Sequence, residues 1–266
     1  MESSIENYIP SPTDIKDGKT RKIFTGVPLD DSENSLVEQF IEYTRSNNIE
    51  VPDMILDDSR LALKFMLGAK GNVENAVKMM KEYLDWLPTL PVPESEVIDL
   101  LRRGLVYISG RTRKFNPLII VNIRKVVDSK IDLDTLLRMQ FFLLNWVKDN
   151  MLVPGKVETW VVIKDARGVG GTEMPIKLIK GMTAKFAIYY CHRIERSFVL
   201  NVPIMMNAVW KIVSLFIDAE TLKKITIARS GWEQMLANLI SPENLEEKYG
   251  GIIPNKEDDF WPFNRN

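Results

Sequence analysis

The sequence predicts an α/β protein in which a small helical bundle precedes a domain with a mostly parallel sheet. Strand-like and helix-like segments alternate after about residue 94, which is typical of parallel α/β folds. The strand candidate Pro117–Ile123 is apolar on both faces, as a central strand covered on both sides is, and Val157–Asp165 is another strand of the buried type. The stretch Ser197–Ser230 contains a strand, a helix and a strand within the length of one βαβ crossover, which requires parallel strands.

Composition shifts divide the chain into four segments. Residues 1–32 are polar, contain several Pro and Gly residues and show no sustained period, so we expect a flexible or loosely docked arm. Residues 33–93 have helical periodicity and predict a bundle of three helices, which ends in a proline-rich linker. Residues 94–254 form the α/β domain, and residues 255–266 form a polar tail with three aromatic residues.

Within the α/β domain the elements follow in a simple order. Hydrophobic period, caps and turn residues predict them as follows: strand Leu105–Ser109, charged turn Gly110–Asn116, strand Pro117–Ile123, a helix capped by Asp132 and ending near Val147, strand Val157–Asp165, a glycine-rich turn at 168–171, a helix from about Pro175 to Tyr190, a strand near Phe198, a helix over about 204–217, strand Lys224–Ala228 and a helix over 232–240.

The helix predicted over residues 204–217 is apolar on nearly every side. Only Asn207, Lys211 and Ser214 make a narrow polar stripe. About thirteen residues rise only about 20 Å, too little to cross a hydrocarbon core of about 30 Å. Periodicity alone favours a buried core helix, and the alternative is a lid over an apolar cavity whose other face touches a membrane.

The overall composition excludes several classes of protein. With 35 basic and 36 acidic residues the net charge is -1, which provides no general field for nucleic acid, so we expect no nucleic-acid partner. A single cysteine, Cys191, excludes an internal disulfide framework and fits a reducing compartment. We find no signal peptide and no run of about 18 apolar residues. These features predict a cytoplasmic protein, and any membrane contact would have to be local and peripheral.

Groups for catalysis are scarce. His192 is the only histidine, no G-x-S-x-G motif accompanies it, and its neighbour Cys191 points in another direction. The adjacent aspartate pairs suit caps and turns better than a metal site, and the turn Gly168–Gly171 lacks the third glycine of a dinucleotide motif. We therefore expect no enzymatic activity, no catalytic residues, no metal and no cofactor.

Four ordered motifs resemble the CRAL-TRIO lipid-binding family, which includes fungal phosphatidylinositol/phosphatidylcholine transfer proteins and tocopherol transfer protein. Leu63-Lys64-Phe65 with KGNVENAV (70–77) is similar to "LLRFLRARKFDVEKA", and VETWVVIKDARGVG (157–170) to "VEQWVVIIDLKGVS". NVPIMMNAVWKIVSLFIDAETLKKI (201–225) resembles "NAPWIFNAVWKLVKPFLDPETRKKI", and ENLEEKYGGIIP (243–254) resembles "ENLPEEYGGTLP". The resemblance runs from about Glu33 to Pro254.

The resemblance implies an N-terminal helical bundle beside a sheet that floors an apolar lipid pocket, with the helix after Pro203 as a movable gate. It also implies headgroup contacts. Phosphoinositide-binding members use two lysines and a glutamate; Lys70 and Lys224 match the lysines, His192 replaces the glutamate, and Arg193 follows it. Two cations suit a phosphodiester, whereas an imidazole does not reproduce the two acceptors of a carboxylate.

The pocket is expected to be lined by one face of strand 157–165 and by the gate helix. The floor residues are Trp160, Val162 and Lys164, and those of the gate are Met205, Met206, Val209, Trp210, Val213, Phe216 and Ile217. Lys164 in this strand must pair with an acid, reach solvent or meet an anionic ligand, because burying an unpaired ammonium group is costly.

These observations predict a cytosolic carrier that takes up one phospholipid, of phosphatidylinositol type as first choice, and exchanges it between membranes. The gate helix and nearby Lys177, Lys180 and Lys185 would dock transiently on the membrane surface. The alternatives are a carrier of a neutral hydrophobic ligand such as a sterol, tocopherol or retinoid, a lipid-sensing regulatory module and, least supported, a lipid hydrolase that uses His192. The sequence names no protein partner.

Overall fold

The computed structural model describes residues 4–204, 206–217 and 219–263, without the side chains of Ser59, 206–209 and Phe216. Its N-terminal part is helical, apart from one small hairpin formed by β1 (Lys16–Asp17) and β2 (Thr20–Arg21). The helices up to the linker are α1 (Pro12–Ile15), α2 (Asp31–Ser46), α3 (Asp53–Leu56), α4 (Ser59–Gly68) and α5 (Val73–Trp86). The three predicted helices correspond to α2, α4 and α5, which pack around a common core that includes Phe40, Phe65 and Met80.

A five-stranded sheet forms the centre of the second part, so the α/β prediction is confirmed. Its order is β3-β4-β5-β6-β7; β3 runs antiparallel to β4, and the other pairs are parallel. The strands are β3 (Val106–Arg111), β4 (Pro117–Asn122), β5 (Trp160–Asp165), β6 (Ile194–Leu200) and β7 (Ile225–Ala228). The βαβ prediction for residues 197–230 is confirmed by the parallel pairing of β6 with β7.

The helices of this part lie on both faces of the sheet. They are α6 (Glu94–Arg102), α7 (Ile123–Ser129), α8 (Leu133–Asn150), α9 (Ile176–Tyr189), α10 (Met206–Val213), α11 (Ala219–Lys223) and α12 (Glu233–Leu239). Because the parallel strands follow in chain order, right-handed crossovers bring α8, α9 and α10 to one face. The opposite face packs on α12 and the C-terminal segment through Trp232, Leu236 and Tyr249.

The helix predicted over 204–217 is shorter than expected. The α-helix ends at Val213, and a 3₁₀ turn, Ser214–Phe216, continues it. Ile204, Ile212 and Leu215 are exposed, Leu215 by 79%. The interpretation as a fully buried core helix is therefore wrong for the residues whose side chains are described. No helix within the described ranges combines the length and the apolar character needed to cross a bilayer.

The N-terminal segment is more firmly attached than its composition indicates. Ile23 and Phe24 are buried, and the Glu158 carboxylate accepts hydrogen bonds from the backbone N–H groups of Phe24 (3.2 Å) and Thr25 (2.8 Å). Arg21 and Glu33 form a buried ion pair. Residues 20–25 thus dock on the α/β domain, and the expectation of a flexible or loosely docked arm does not hold for them.

Candidate functional site

The sheet face that α9 and α10 cover is the floor of the candidate site. Strand register aligns Val121, Lys164, Val199 and Ile227 across four strands, so these four side chains share one face. The preceding row on the same face consists of Ile119, Val162, Ser197 and Ile225. We call these two rows the floor. Lys164 and Ser197 are its only polar members.

Above the floor, α10 presents two different faces. Val213 is buried in a cluster with Val199, and Trp210 and Ile217 pack against the same cluster from its edge. Ile212 and Leu215 point outward into solvent. The helix therefore places apolar side chains both toward the sheet and toward water, an arrangement that costs free energy unless the outer face meets an apolar partner.

The apolar residues of α9 and β7 at the sides of this site keep part of their surface accessible. Helix α9 (IKLIKGMTAKFAIY) is strongly apolar, yet it has no fully buried residue. Ile176 and Ile179 from α9 and Ile225 and Ile227 from β7 belong to the apolar cluster under α10 but keep part of their surface accessible. Protein cores are normally packed densely. Apolar walls with residual accessible surface are typical of a pocket that takes a small apolar molecule.

Lys164 lies in the middle of these apolar walls. Protein atoms surround it closely, and this burial lowers the pKa of Lys164 below the usual value for lysine. Part of its surface nevertheless remains accessible. Within the described part of the chain, no hydrogen-bond acceptor and no carboxylate pairs with it. Of the three outcomes expected for Lys164, pairing with an acid is thus not found in the described residues.

The predicted headgroup residues from β6 and β7 lie near the amino ends of these strands. Lys224 donates a hydrogen bond to the Ile194 carbonyl at 2.8 Å, which places it beside the segment that carries His192 and Arg193. Arg193 donates to the Glu158 carbonyl at 2.8 Å, and its guanidinium lies 3.8 Å from the Glu158 carboxylate. Burial lowers the pKa of Arg193, against the attraction of Glu158.

The N-terminal segment packs against this same region. The Phe24 ring lies 5.7 Å from the His192 ring, and the Lys64 ammonium lies 4.6 Å from the centre of the Phe24 ring. Burial, and then repulsion by Arg193, lower the pKa of Lys64 to about 8. A cation over an aromatic face is stabilised by the ring quadrupole. Phe24 therefore connects a lysine of the bundle with a histidine of the α/β domain.

Lys70 stands apart from this group. It follows α4 in a left-handed conformation (φ 55°), is exposed, and makes no described contact with His192, Arg193 or Lys224. Three of the four predicted headgroup residues, His192, Arg193 and Lys224, thus lie near one another at the start of β6 and β7. Lys70 makes no described contact with them.

The predicted pocket residues fall into two described groups and a third group that the structure does not describe. Trp160 and Val162 are buried in the core that α8 covers, and the rings of Trp160 and Tyr190 lie 5.7 Å apart. Trp210, Val213 and Ile217 face the floor. Met205 lies outside the described residues, as do the side chains of Met206, Val209 and Phe216.

The sequence alone did not identify four residues of the site. Phe24 and Glu158 lie far apart in sequence, and only the fold brings them together. In the sequence, Lys64 stands only within a family motif, and Ser197 stands at the start of a predicted strand. The single signal that could have singled out Ser197 is its polar side chain within a run of β-formers on the Lys164 face.

A separate polar cleft of about 480 Å³ opens at the carboxyl ends of β5–β7. Its lining includes Arg167, Gly168, Asn201, Ile204 and Arg229, next to the start of α10. Elsewhere, burial raises the pKa of the Cys191 thiol, which disfavours the nucleophilic thiolate. Across the described ranges, no group of three or more His, Cys, Asp or Glu residues is placed to hold a metal ion.

Comparisons with known proteins agree with this architecture. The model of the CRAL/TRIO domain family matches residues 101–251. A CRAL-TRIO domain-containing protein of Caenorhabditis elegans is 24% identical over 241 residues, which cover 80% of this chain and 58% of the relative. The Sec14 cytosolic factor of Schizosaccharomyces pombe is 31% identical over 99 residues, which cover 36% of this chain and 35% of that protein.

The fold has a counterpart among solved structures. The crystal structure of Sfh5 superposes with a TM-score of 0.62 at 16% identity and covers 88% of this chain and 91% of that one. At this identity the likeness extends to the fold alone. The matched regions span 58% and 46% of the length of two CRAL-TRIO domain-containing relatives, so each of them is considerably longer than the shared region.

Proposed function

Because this chain belongs to the CRAL-TRIO family, we propose that it binds one lipid between the sheet and helix α10 and transfers it between membranes. The observation that carries the proposal is the two-sided helix α10. Its inner residues pack on the floor, while Ile212 and Leu215 remain exposed. A helix of this kind covers the lipid tails when closed and contacts the membrane when open.

The free energy of the exchange supports a carrier. Each methylene moved out of water contributes about 0.8 kcal/mol, so a tail in an apolar pocket is about as stable as a tail in the bilayer. The exchange is then nearly neutral, and the opening of α10 controls its rate. The apolar walls formed by α9 and β7 provide the surface that such a tail requires.

For the lipid we place a phosphatidylinositol-type phospholipid first. Arg193 and Lys224 lie beside His192 at one end of β6 and β7, and two cations suit the negative charge of a phosphodiester. Phe24 packs on His192, so the N-terminal segment would have to make room for an inositol ring, or the ring would lie beside it. A neutral hydrophobic ligand is the second candidate, because the walls under α10 are almost entirely apolar.

Native mass spectrometry after incubation with mixed vesicles tests this function, followed by a vesicle-to-vesicle transfer assay. We expect one bound phospholipid per chain and a transfer rate that exceeds spontaneous exchange. Lys224→Gln should weaken phosphatidylinositol binding about 10-fold or more, as expected for loss of a charge-assisted hydrogen bond. Lys223→Gln is the matched control, since Lys223 is 71% exposed and pairs with Glu220.

Three results would redirect the proposal. A neutral compound bound equally by both variants would favour the second candidate. High lipid occupancy without transfer would indicate a lipid-sensing module instead of a carrier. If His192→Ala leaves binding and transfer intact, neither a hydrolase nor an essential headgroup role for His192 can be maintained.

A further inference from the structure

We propose that Lys164 and Ser197 form an anion-binding site in the floor, which takes the single negative charge of an amphiphile held under α10. The charge belongs to a carboxylate or to a phosphodiester. The inference rests on the proposed lipid-carrying function and adds to it the charge of the ligand and the position of its acidic group.

The two side chains lie close together on the same sheet face. Lys164 is paired in register with Val199, and Ser197 precedes Val199 by two residues on β6. With about 4.8 Å between strands and about 3.3 Å per residue, the Cα atoms of Lys164 and Ser197 are about 8 Å apart. The long lysine side chain and the serine hydroxyl can both reach a ligand oxygen that lies between them, so both groups can donate to the same acidic group.

Both groups lack a partner in the described part of the chain. The Ser197 hydroxyl is buried, with the residue 1% exposed, and has no hydrogen-bond partner there. Lys164 has neither an acid nor an acceptor among the same residues. Buried polar groups are almost always hydrogen-bonded, and an unpaired buried ammonium group is costly. Two such donors on one face indicate that their acceptor is supplied from outside the chain.

The surroundings limit the charge of that acceptor. The remaining six floor residues offer no further cation or donor side chain; they are Ile119, Val121, Val162, Val199, Ile225 and Ile227. One ammonium group balances one negative charge, whereas a phosphate monoester would leave a second charge unpaired in apolar surroundings. The predicted headgroup residues Arg193 and Lys224 precede β6 and β7, so they lie toward the opposite end of the strands from Lys164.

Two variants and two pairs of probe lipids test the site. Lys164→Met removes the charge and keeps most of the volume, and Ser197→Ala removes the hydroxyl. The probes are oleic acid against oleyl alcohol, and phosphatidylinositol against diacylglycerol, each delivered to the full chain and measured by native mass spectrometry and displacement of a fluorescent lipid. The control is Lys78→Met, at an exposed lysine on α5 that the proposal does not involve.

We expect Lys164→Met to bind at least one of the two acidic probes about 10- to 100-fold more weakly, the range for a lost charge-assisted hydrogen bond. Ser197→Ala should cost about 3- to 10-fold with the same probe. Both variants should bind the two neutral probes as the unmodified chain does, and Lys78→Met should bind all four probes as the unmodified chain does. Weakening with oleic acid alone identifies a carboxylate, and weakening with phosphatidylinositol alone identifies a phosphodiester.

A stability measurement separates ligand binding from a structural role. Without lipid, Lys164→Met should melt at a higher temperature than the unmodified chain, because it no longer buries an unpaired ammonium group. A lower melting temperature together with unchanged binding of both acidic probes would overturn the site. Equal binding of acidic and neutral probes by all proteins would overturn the site but leave the lipid carrier in place, whereas no binding of any probe would overturn both.

Discussion

At the scale of single residues, the closing motif EKYGG shows why one glycine cannot be replaced. A Cβ atom on Gly251 would lie 1.7 Å from the carbonyl oxygen of Leu245, a backbone atom that cannot move aside cheaply. Gly231 differs, because its left-handed conformation (φ 73°) has open space around it. Substitution of Gly251 therefore tests a steric clash, whereas substitution of Gly231 tests backbone strain alone.

We expect Gly251→Ala to destabilise the protein by about 3 kcal/mol, the upper range for overpacking. Gly231→Ala should cost only about 1–2 kcal/mol, the strain of an L-residue in the left-handed region. Urea unfolding of both variants measures the difference. Equal costs would show that the contact with Leu245 is not what requires glycine at position 251.

Glu158 holds the N-terminal segment on the α/β domain through hydrogen bonds to its carboxylate. Burial by itself raises the pKa of Glu158, but the hydrogen bonds from Thr25, Gly155 and Phe24 outweigh it and hold the pKa below the ordinary value of 4.5. A carboxyl group with a lowered folded-state pKa stabilises the fold at pH values above its unfolded pKa. This contribution is lost as the pH falls from about 4.5 through the folded-state pKa.

Glu158→Gln should therefore destabilise the protein by about 1–3 kcal/mol at pH 7, because the hydrogen bonds to a charged acceptor become weaker. The difference from the unmodified chain should shrink at pH 3.5 and below. Urea unfolding at several pH values measures it, with the exposed Glu243→Gln as control. A cost that does not change with pH would show that the charge of Glu158 does not hold residues 24 and 25.

At the scale of elements, α10 was the hardest segment to interpret from sequence. A helix that is apolar on nearly every side does not show which of its sides packs on the sheet, because periodicity identifies a buried face only when a polar face opposes it. The sequence could therefore predict a helix near 204–217 but not which residues face the sheet. The structure assigns Val213 and Trp210 to the inner side and leaves Ile212 and Leu215 outside.

The exposed residues of this element lead to a prediction about membranes. Leu215→Glu should reduce vesicle binding and lipid transfer several-fold, since a charged side chain opposes insertion of an apolar surface into the bilayer. Stability should change by less than about 0.5 kcal/mol, as is usual for a surface substitution. Ile252→Glu is the control, because Ile252 is 68% exposed and lies outside α10. Equal loss of transfer in both variants would contradict a specific role of α10.

At the scale of the whole molecule, the sequence predicted the order of the elements well. Strands β4 and β5 each contain an apolar run of four residues, 118–121 and 160–163, and such runs are typical of central parallel strands. The docking of residues 20–25 could not be predicted, because the bonds from Phe24 and Thr25 to Glu158 join positions more than 130 residues apart. The apolar surroundings of Lys164 could not be predicted either, because only the assembled sheet places Val121 and Val199 on its two sides.

The bundle and the sheet are joined by aromatic packing. Trp86 at the end of α5 stacks on Tyr189 with ring centres 4.4 Å apart and also contacts Phe141. A second connection runs through the N-terminal segment, where the Phe24 ring contacts both the Lys64 ammonium group of the bundle and the His192 ring. The bundle and the α/β domain thus contact each other through residues that were predicted to belong to separate segments.

The location of the lipid is the central claim, and photo-crosslinking tests it most directly. A phosphatidylinositol analogue with a diazirine in its acyl chain is delivered from vesicles, irradiated, and mapped by peptide mass spectrometry. We expect cross-links on the inward-facing side chains Ile179, Trp210 and Ile227. Cross-links confined to the outer residues Ile212 and Leu215, or no cross-link in the α/β domain, would contradict a lipid held between the sheet and α10.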